Sequence, residues 1–283
     1  MPKKKSKSSR SPGLFNVQEF LATAPCVPAL RDAVHAWRES NYKGVTETTR
    51  ELLNFWFRAD HKLPSGRRFL YHHAQREAIE TLIYAYEVEK VRTRKSLLEH
   101  YAFDSKNLRL PPYDDFARYC IKMATGSGKT KVMALAVVWH YFNAIRESDK
   151  EFAKTFLIIA PNVIVFERLR TDFGGGRIFR ADPMFPKHFD MFWDFECYAR
   201  GDSERAHSEG ALFLTNIQQF YERPQRGNSD EPEELTALLG SKPQTQKLEI
   251  TDFDDHIAKR EGLLVVLNDE AHHTHDEDSE WSN

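Results

Sequence analysis

The sequence predicts an α/β fold with a mostly parallel sheet, and two kinds of pattern lead to this prediction. Short, almost wholly apolar runs at residues 156–160, 211–215 and 263–268 are typical of strands buried on both faces of a parallel sheet. A glycine-rich loop at residues 123–130 leads directly into a segment with helical spacing of apolar residues. In such proteins ligands bind at the edge where the parallel strands end.

The composition is that of an ordinary globular protein. Of the 283 residues, 41% are apolar and 29% are charged. The net charge of −2 gives no overall basis for nucleic-acid binding, so any such contact must come from local patches. Three widely separated cysteines predict neither a disulfide framework nor a zinc site, and they favour a cytoplasmic location. No apolar run is long enough to cross a membrane, so no membrane partner is expected.

Three regions are predicted along the chain. Residues 1–13 are a basic tail without acids and are expected to be disordered. The tail could act as a solubilising arm, as a contact for nucleic-acid phosphates or, in a eukaryote, as a nuclear address. Residues 14–65 are a helical extension, and residues 66–283 are the main α/β domain. The helices expected in the extension cover residues 17–22, 27–39 and 45–57.

The loop at residues 123–130 is predicted to bind the phosphates of a nucleotide. Its glycines allow positive φ, so successive backbone N–H groups can point at phosphate oxygens. The helix expected over residues 129–145 adds free N–H groups and the positive end of its dipole. Lys129 supplies a cation for the β- and γ-phosphates, and Thr130 supplies a hydroxyl for Mg²⁺. The residues assigned to nucleotide binding here are Thr125, Gly126, Ser127, Gly128, Lys129 and Thr130.

One position departs from the usual phosphate-loop pattern, because Met123 stands where the pattern has glycine. The alternative interpretation is a Gly/Ser-rich turn followed by a chance Lys-Thr pair. A short strand predicted at residues 116–122, together with the helix after the loop, favours phosphate binding.

Gln75 is a candidate for recognising the base. Aromatic residues precede it within residues 67–79, where the chain enters a helix expected to end near Arg92. A ring can stack on a base, and a side-chain amide can pair with an adenine edge in two places. Alone, this pattern more often describes a solvated helix start, but the nucleotide loop downstream favours the recognition role.

The last apolar run, at residues 263–268, ends in Asp269 and Glu270. Asp269 can hold Mg²⁺, and Glu270 can orient or deprotonate the attacking water. Alone they describe a charged strand end; with the phosphate loop they predict the second half of a hydrolytic nucleotide site. Three histidines follow within residues 272–275, but the acids around them and the lack of a nearby cysteine favour a solvated loop over a metal site.

The remaining segments are predicted from local patterns. The chain turns at residues 161–162, and residues 163–170 begin a helix. Apolar residues alternate over residues 189–197 and predict a strand with one buried face. Residues 223–243, rich in Pro, Gly, Ser and Glu, predict an exposed excursion.

Two of these motifs resemble those of superfamily-two helicases. Met-Ala-Thr-Gly-Ser-Gly-Lys-Thr at residues 123–130 is similar to motif I, especially in the restriction-enzyme and excision-repair branch, where methionine often leads. Asp-Glu-Ala-His at residues 269–272 is similar to motif II in its DEAH spelling. The nearest resemblance, covering residues 66–283, is to the motor (R) subunit of type III restriction endonucleases.

Three weaker motifs extend the resemblance. Residues 158–162 resemble motif Ia and residues 214–217 resemble motif Ib, which hold the backbone of a nucleic-acid strand in that family. Residues 71–79 resemble the adenine-reading element, with Gln75 as the reader. The side chains that the resemblance assigns to nucleic acid are Pro161, Asn162, Thr215 and Asn216.

The resemblance implies a three-layer RecA-like P-loop lobe, incomplete at its C-terminus, that uses ATP and Mg²⁺. It assigns Glu270, Asp269 and Lys129 to catalysis and Thr130 and Asp269 to the metal. DNA, expected to be duplex, and a modification (methyltransferase) subunit are the implied partners.

The expected function is the ATP-binding lobe of a DNA-dependent ATPase and translocase of a restriction-modification or related defence system. Three alternatives stay open: a P-loop enzyme acting on a small substrate, the motor of another superfamily-two remodelling or repair enzyme, and a non-catalytic nucleotide- or DNA-binding module. The family also has a motif III and a second RecA-like lobe with an arginine finger. Because the sequence stops shortly after motif II, it is expected to be an N-terminal fragment with very low ATP turnover in isolation.

Overall fold

A computed structural model describes residues 24–63, 65–102, 117–200, 207–217 and 256–269. These residues fall into two compact units. The first lies within residues 1–45 and 80–121, and the second within residues 46–79 and 122–283. The helical extension predicted over residues 14–65 is therefore divided between the two units, and its boundaries remain a prediction.

The first unit is helical and encloses a buried carboxylate. Helix α1 (Val27–Glu39) carries a proline in its first turn, where a missing N–H costs nothing. Glu80 is fully buried and accepts hydrogen bonds from Arg38 Nε at 2.8 Å and from the Tyr42 hydroxyl at 2.6 Å. Because a buried charge without partners is costly, these two donors allow the unit to enclose Glu80.

The structure describes three further helices and a short hairpin between residues 46 and 102, of which the first helix and the hairpin belong to the second unit. They are α2 (Glu47–Arg58), α3 (His73–Ile83), α4 (Arg94–Tyr101) and the antiparallel pair β1 (His61–Lys62) and β2 (Arg68–Phe69). Helix α2 begins at Thr46, whose hydroxyl accepts a hydrogen bond from the Thr49 N–H. Helix α3 continues through one π-helical turn, Tyr84–Val88. The helical segment therefore ends four residues before Arg92, near which the sequence predicted its end.

The second unit is built on a parallel four-stranded sheet, which confirms the predicted fold class. Its strands are β3 (Thr155–Ala160), β4 (Phe195–Ala199), β5 (Gly210–Asn216) and β6 (Leu264–Asn268). They lie in the order β4, β5, β3, β6, and every neighbouring pair is parallel. All three apolar runs therefore form the strands that the sequence predicted.

The core covers both faces of this sheet. Strand β5 is buried along its whole length. On one face, Leu157 and Phe213 belong to a cluster of buried apolar side chains. Phe156 is adjacent in β3 and points to the opposite face, where its ring centroid lies 5.8 Å from that of Phe195. Burial on both faces explains why β3 and β5 are continuous apolar runs. The prediction of burial on both faces is wrong for β6, whose residues alternate between exposed and half-buried.

Helix α5 (Lys129–Arg146) follows the glycine-rich loop and is buried on most of its faces, as predicted. Polar contacts fix its position along α2. Asn143 Nδ2 donates to Thr49 Oγ1 at 2.9 Å, and Trp139 Nε1 donates to the same oxygen at 3.1 Å. The Thr46 hydroxyl lies 2.5 Å from Asn143 Oδ1. Because these groups are buried or half-buried, the two helices are held in one register.

Helix α6 (Val163–Phe173) follows β3 after the turn at residues 161–162, as the sequence predicted. Asn162 is its N-cap, and the side-chain oxygen of Asn162 accepts a hydrogen bond from the Val165 N–H at 2.9 Å. A 3₁₀ turn, Gly174–Gly176, and helix α7 (Arg177–Ala181) lead on towards β4.

The strand predicted at residues 189–197 is wrong in its first part. A 3₁₀ helix spans Lys187–Phe192, and β4 begins after it. Met191, which the alternation placed in the core, is 81% exposed. The ring of Phe189 packs on Phe142 in α5, with centroids 4.7 Å apart. The aromatic residues thus converge on one core from a helical turn rather than from one face of a strand.

The strand predicted at residues 116–122 does not form over residues 117–122, which are the part of it that the structure describes. Arg118, Cys120 and Lys122 are exposed, and Ile121 is 38% exposed. A central strand of a parallel sheet is buried on both faces, and these side chains do not supply the apolar surface for that.

Several predicted features lie outside the described residues and remain predictions. They are the tail at residues 1–13, the helix at residues 17–22, the excursion at residues 223–243, and the acidic and histidine residues at 270–275. Of the helices that the structure does describe, none is long and apolar enough to cross a membrane.

Gly210→Ala is expected to destabilise the protein by about 1–3 kcal/mol, because the added Cβ would overlap the rings of Tyr141 and Phe195. Urea unfolding measures the effect. Gly174→Ala is the matched control, since its Cβ would meet no atom within 4 Å. Equal unfolding free energies for the two variants would contradict the close packing at the start of β5.

Alkaline pH is expected to weaken the fold. Burial raises the pKa of Cys197 to about 12 and the pKa of Tyr141 to about 12. In the unfolded chain these groups ionise near their ordinary pKa values, about 8.5 and about 10. Between the two limits the unfolded chain has lost protons that the folded chain retains, so the free energy of unfolding falls as pH rises. Cys197→Ala should reduce the fall that begins near pH 8.5, as measured by urea unfolding at several pH values. The buried Cys26, whose pKa is also raised by burial, contributes the rest of that part. An unaltered profile would argue against a raised pKa at the half-buried Cys197.

Candidate functional site

The glycine-rich loop contains two residues with positive φ, as the sequence predicted. Gly126 (φ 77°) and Gly128 (φ 85°) are both left-handed. A turn closes the loop, in which the Ser127 N–H donates to the Ala124 carbonyl at 3.2 Å. Gly128 is the N-cap of α5, and no side chain caps this helix start. The helix therefore directs backbone N–H groups and the positive end of its dipole at the loop.

The last turns of α5 lie at the edge where strands of the sheet begin. There Tyr141 packs on Phe195 at the start of β4, with ring centroids 5.2 Å apart. Its ring also lies against Gly210 at the start of β5. Lys129 lies about 18 Å before Tyr141 along the helix axis, at the usual rise of an α-helix. The length of α5 therefore separates the glycine-rich loop from the edge where these strands begin.

Gln75 lies directly beside the glycine-rich loop. Its side chain is 1% exposed, and Nε2 occupies the space that a Cβ at position 128 would take. Its Oε1 accepts a hydrogen bond from the His72 N–H at 2.9 Å. Gln75 is therefore a buried and oriented amide, which excludes the alternative of a solvated helix start.

The aromatic residues before Gln75 are held by polar contacts with the chain after α7. The Tyr71 hydroxyl donates to the Pro183 carbonyl at 2.9 Å. Burial, together with the nearby Asp182 carboxylate, raises the pKa of Tyr71 well above its ordinary value, so this hydroxyl stays neutral. Asp182 also pairs with Lys131, whose Nζ lies 5.0 Å from the centroid of the Phe69 ring. These contacts fix the aromatic segment next to the first turn of α5.

Asp269 lies at the end of β6, where the sequence predicted a metal-binding carboxylate. Its side chain is 3% exposed, and its backbone N–H donates to the Ile159 carbonyl at 3.3 Å. Its Oδ2 accepts a hydrogen bond from Arg168 Nη2 at 2.9 Å. Asp269 is thus a buried, charge-paired carboxylate at the carboxyl edge of the sheet. Its predicted catalytic neighbour, Glu270, lies outside the described residues.

The residues predicted to hold nucleic acid lie at the same edge but differ in exposure. Pro161 and Asn162 follow β3, and Thr215 and Asn216 end β5, which pairs with β3 in parallel register. Asn162 is exposed, although its side chain also caps α6. Thr215 is fully buried and Asn216 is 1% exposed. Surface contact is therefore available at the start of α6, whereas the side chains that end β5 face the protein interior.

Two charged residues of this region were missed from the sequence, Arg168 and Asp182. No fixed spacing relates Arg168 to Asp269, because their contact arises only when α6 packs beside strands that are far apart in sequence. Asp182 lies in a connection without a periodic pattern. Neither residue carried a local signal that could have identified it.

A parallel sheet with helices, together with a glycine-rich loop that leads into a helix start, is compatible with the class of P-loop ATPase lobes with a RecA-like fold. Within that class, the chain belongs to the type III restriction enzyme res subunit family, because the model of this family matches residues 68–283. No curated protein and no solved structure matches the chain.

This membership confirms the resemblance predicted from motifs I and II. The family comprises helicase-type ATPase motors of type III restriction systems. In general its members use a nucleotide with Mg²⁺ and act on DNA together with a modification subunit.

Gly128→Ala is expected to destabilise the fold by about 1–3 kcal/mol more than Gly126→Ala. Both substitutions place alanine at a left-handed φ, but only the Cβ at position 128 would overlap the amide of Gln75; at position 126 no atom lies within 4 Å. Thermal unfolding followed by calorimetry provides the comparison.

A double-mutant cycle separates the overlap from backbone strain. In a Gln75→Ala background the overlap is gone, so Gly128→Ala and Gly126→Ala should then cost the same. If the extra cost of Gly128→Ala persists in that background, contact with the Gln75 amide is not its cause.

Proposed function

We propose that the chain is the ATP-binding lobe of a DNA-dependent ATPase, a helicase-type translocase of a restriction-modification or related defence system. The observation that carries this proposal is the uncapped start of α5, reached through two left-handed glycines. Membership of the type III restriction enzyme res subunit family supports the same function. The proposed partners are duplex DNA and a modification (methyltransferase) subunit, in the cytoplasm.

The glycine-rich loop is the proposed site for the ATP phosphates. Backbone N–H groups at a helix start favour bound anions, and Gly126 and Gly128 allow the chain to curve around them. Lys129, the first residue of α5, provides a mobile cation for the β- and γ-phosphates. Thr125 and Ser127 complete the proposed loop.

Thr130 and Asp269 are the proposed protein ligands of Mg²⁺. In nucleotide sites Mg²⁺ keeps several waters and takes phosphate oxygens, so one hydroxyl and one carboxylate are a sufficient protein contribution. Two features support the fit: Thr130 is the second residue of α5, and Asp269 presents a buried carboxylate at the carboxyl edge of the sheet.

The proposed reaction is attack of water on the γ-phosphate. The bond between the γ-phosphorus and the β–γ bridging oxygen of ATP breaks, and ADP and inorganic phosphate are the products. A bound Mg²⁺ would neutralise the charge that develops. Lys129 is proposed to stabilise charge on the γ-phosphate, and Asp269 is proposed to bind the Mg²⁺. Glu270 is proposed to orient or deprotonate the water.

Gln75 is the proposed reader of adenine. Its amide is already oriented by His72 and lies against Gly128, so little conformational freedom would be lost when a base binds. An amide oxygen accepts two hydrogen bonds and an amide nitrogen donates two, which leaves capacity for the adenine edge beside the His72 contact.

DNA is proposed to pass the start of α6. Asn162 is exposed there, and the next two residues, Val163 and Ile164, are 50% and 83% exposed. A helix start offers N–H groups to phosphates, and apolar side chains suit the sugar surface. Pro161 contributes the turn before α6, and Thr215 and Asn216, which are buried, are proposed to hold that turn in place from the paired strand β5.

Lys129→Ala tests the proposed phosphate site. A hydrogen bond to a charged group contributes about 1.5–3 kcal/mol, so ATP affinity should fall roughly 10- to 100-fold while the unfolding free energy changes little. Calorimetric titration with ATP·Mg²⁺ measures this, with the exposed Lys150→Ala as the control. Equal ATP affinity in wild type and Lys129→Ala would overturn the site.

A second experiment separates the possible functions by measuring ATP hydrolysis with and without DNA. Hydrolysis that DNA stimulates and that Glu270→Gln abolishes would distinguish a motor from a non-catalytic binding module and from an enzyme that acts on a small substrate.

Gln75→Ala tests base recognition. The wild type should prefer ATP over GTP by about 1–3 kcal/mol, since GTP leaves buried hydrogen-bonding groups unpaired, and the variant should lose this preference. Competition titrations of ATP and GTP against a fluorescent nucleotide give both affinities. A preference that survives in Gln75→Ala would assign base recognition to the aromatic segment or to the backbone.

A further inference from the structure

The carboxylate proposed to bind Mg²⁺ already has a cation beside it. Arg168 Nη2 lies 2.9 Å from Asp269 Oδ2, which is a direct ion pair. The side chain of Asp269 is 3% exposed, whereas that of Arg168 is 55% exposed. The guanidinium therefore reaches in from the surface to a carboxylate that is itself enclosed, and it can leave without any rearrangement of the core.

Arg168 also belongs to the helix that borders the proposed path of DNA. Helix α6 begins at the Asn162 cap, and Arg168 lies within its second turn. Phe166, Leu169 and Phe173 are buried, so the helix is anchored while Arg168 faces the carboxyl edge of the sheet. One helix thus carries the exposed residues at its start and the cation that holds Asp269.

Arginine is well suited to exchange between two anionic partners. Its planar guanidinium binds carboxylates and phosphates with the same geometry, and it stays charged at all relevant pH values. A long side chain that is half exposed loses little packing when its head moves. A nucleic-acid phosphate near the start of α6 would therefore compete with Asp269 for the same guanidinium.

We propose that Arg168 is an exchangeable counter-ion for Asp269: it holds the carboxylate before metal binds, and it releases the carboxylate to Mg²⁺ when a nucleic-acid phosphate takes its place. The proposal rests on the function proposed above and adds a route by which DNA promotes metal loading. Arg168 acts through Asp269 and is a positioning residue rather than a catalytic one.

The measurement is the gain in nucleotide affinity that Mg²⁺ produces. The affinity for a fluorescent, non-hydrolysable ATP analogue is determined with and without Mg²⁺, in the full chain, and the ratio of the two is compared between variants. A general loss of structure lowers both affinities and leaves their ratio unchanged. Competition between Arg168 and Mg²⁺ alters the ratio.

In Arg168→Gln the Mg²⁺-dependent gain should rise by about two- to fivefold over wild type, the size expected for loss of a partly exposed ion pair. Arg168→Lys keeps the charge but not the planar fork and should give an intermediate gain. The matched control is Arg170→Gln on the same helix, which pairs with the exposed Glu167 at 3.9 Å. Arg170→Gln removes the same charge and should leave the gain at the wild-type value.

A DNA oligonucleotide should raise the gain of the wild type towards that of Arg168→Gln and should not alter the gain of the variant. If Arg168→Gln and Arg170→Gln give the same ratio, or if DNA raises the ratio equally in wild type and Arg168→Gln, the counter-ion exchange is overturned while the ATP site stands. If the wild type binds no nucleotide, the proposed function and this inference fail together. If Arg168→Gln does not fold, the same comparison between Arg168→Lys and wild type decides.

Discussion

Parallel pairing of β3 with β5 and β6 is the constraint on which the site depends. Ile159 pairs with Asn268 and Ala160 pairs with Asn216, so the three strands end together. A slip of one residue in either pairing would exchange the two faces of a strand, and the apolar core opposes such a slip. Side chains such as Phe213, which contact no proposed ligand, therefore decide where Asp269 and the turn before α6 lie.

Much of the fold could be predicted because its signals are local. The apolar runs identified the three central strands, and the glycines of the loop indicated the left-handed backbone at the start of α5. The two wrong strand predictions concern segments whose structure depends on distant partners. Around Phe189 the rings converge on α5 from a 3₁₀ helix, and alternation in sequence cannot distinguish that from a strand. Before the loop, aromatic and β-compatible residues indicated a strand, but over residues 117–122 no strand forms and several side chains are exposed.

The same distinction applies to the site. Gln75 and the glycine-rich loop were found from local motifs, and the structure places them in contact. The ion pair of Arg168 with Asp269 could not be found in this way, because it joins a helix and a strand separated by much of the second unit. Local chemistry therefore indicated the groups proposed to bind phosphate, but only the tertiary structure identifies the group that balances the charge of the Asp269 carboxylate.

Among the residues that the structure describes, Glu80 and Asp269 are buried carboxylates with an arginine partner, and the surroundings of the two pairs differ. The side chain of Arg38, the partner of Glu80, is 13% exposed, and a tyrosine hydroxyl contacts the same carboxylate. Removing either partner would leave an uncompensated charge in the interior, as expected of a structural pair. The partner of Asp269 is mostly at the surface. The enclosed Arg38 therefore suits Glu80 to a structural role in the first unit. The exposed Arg168 suits Asp269 to an exchange of partners.

The polar contacts between α2 and α5 also have a mechanical consequence. A bound triphosphate attracts the N-terminal end of α5, and this attraction acts along the helix axis. Near the opposite end, Asn143 and Trp139 are hydrogen-bonded to Thr49. Sliding of α5 by even one residue would leave a buried amide and hydroxyl unpaired, at a cost of about 1–3 kcal/mol for each group. The hydrogen bonds to Thr49 therefore oppose sliding of α5 along its axis. The attraction of a bound triphosphate for the start of α5 would then not displace the helix.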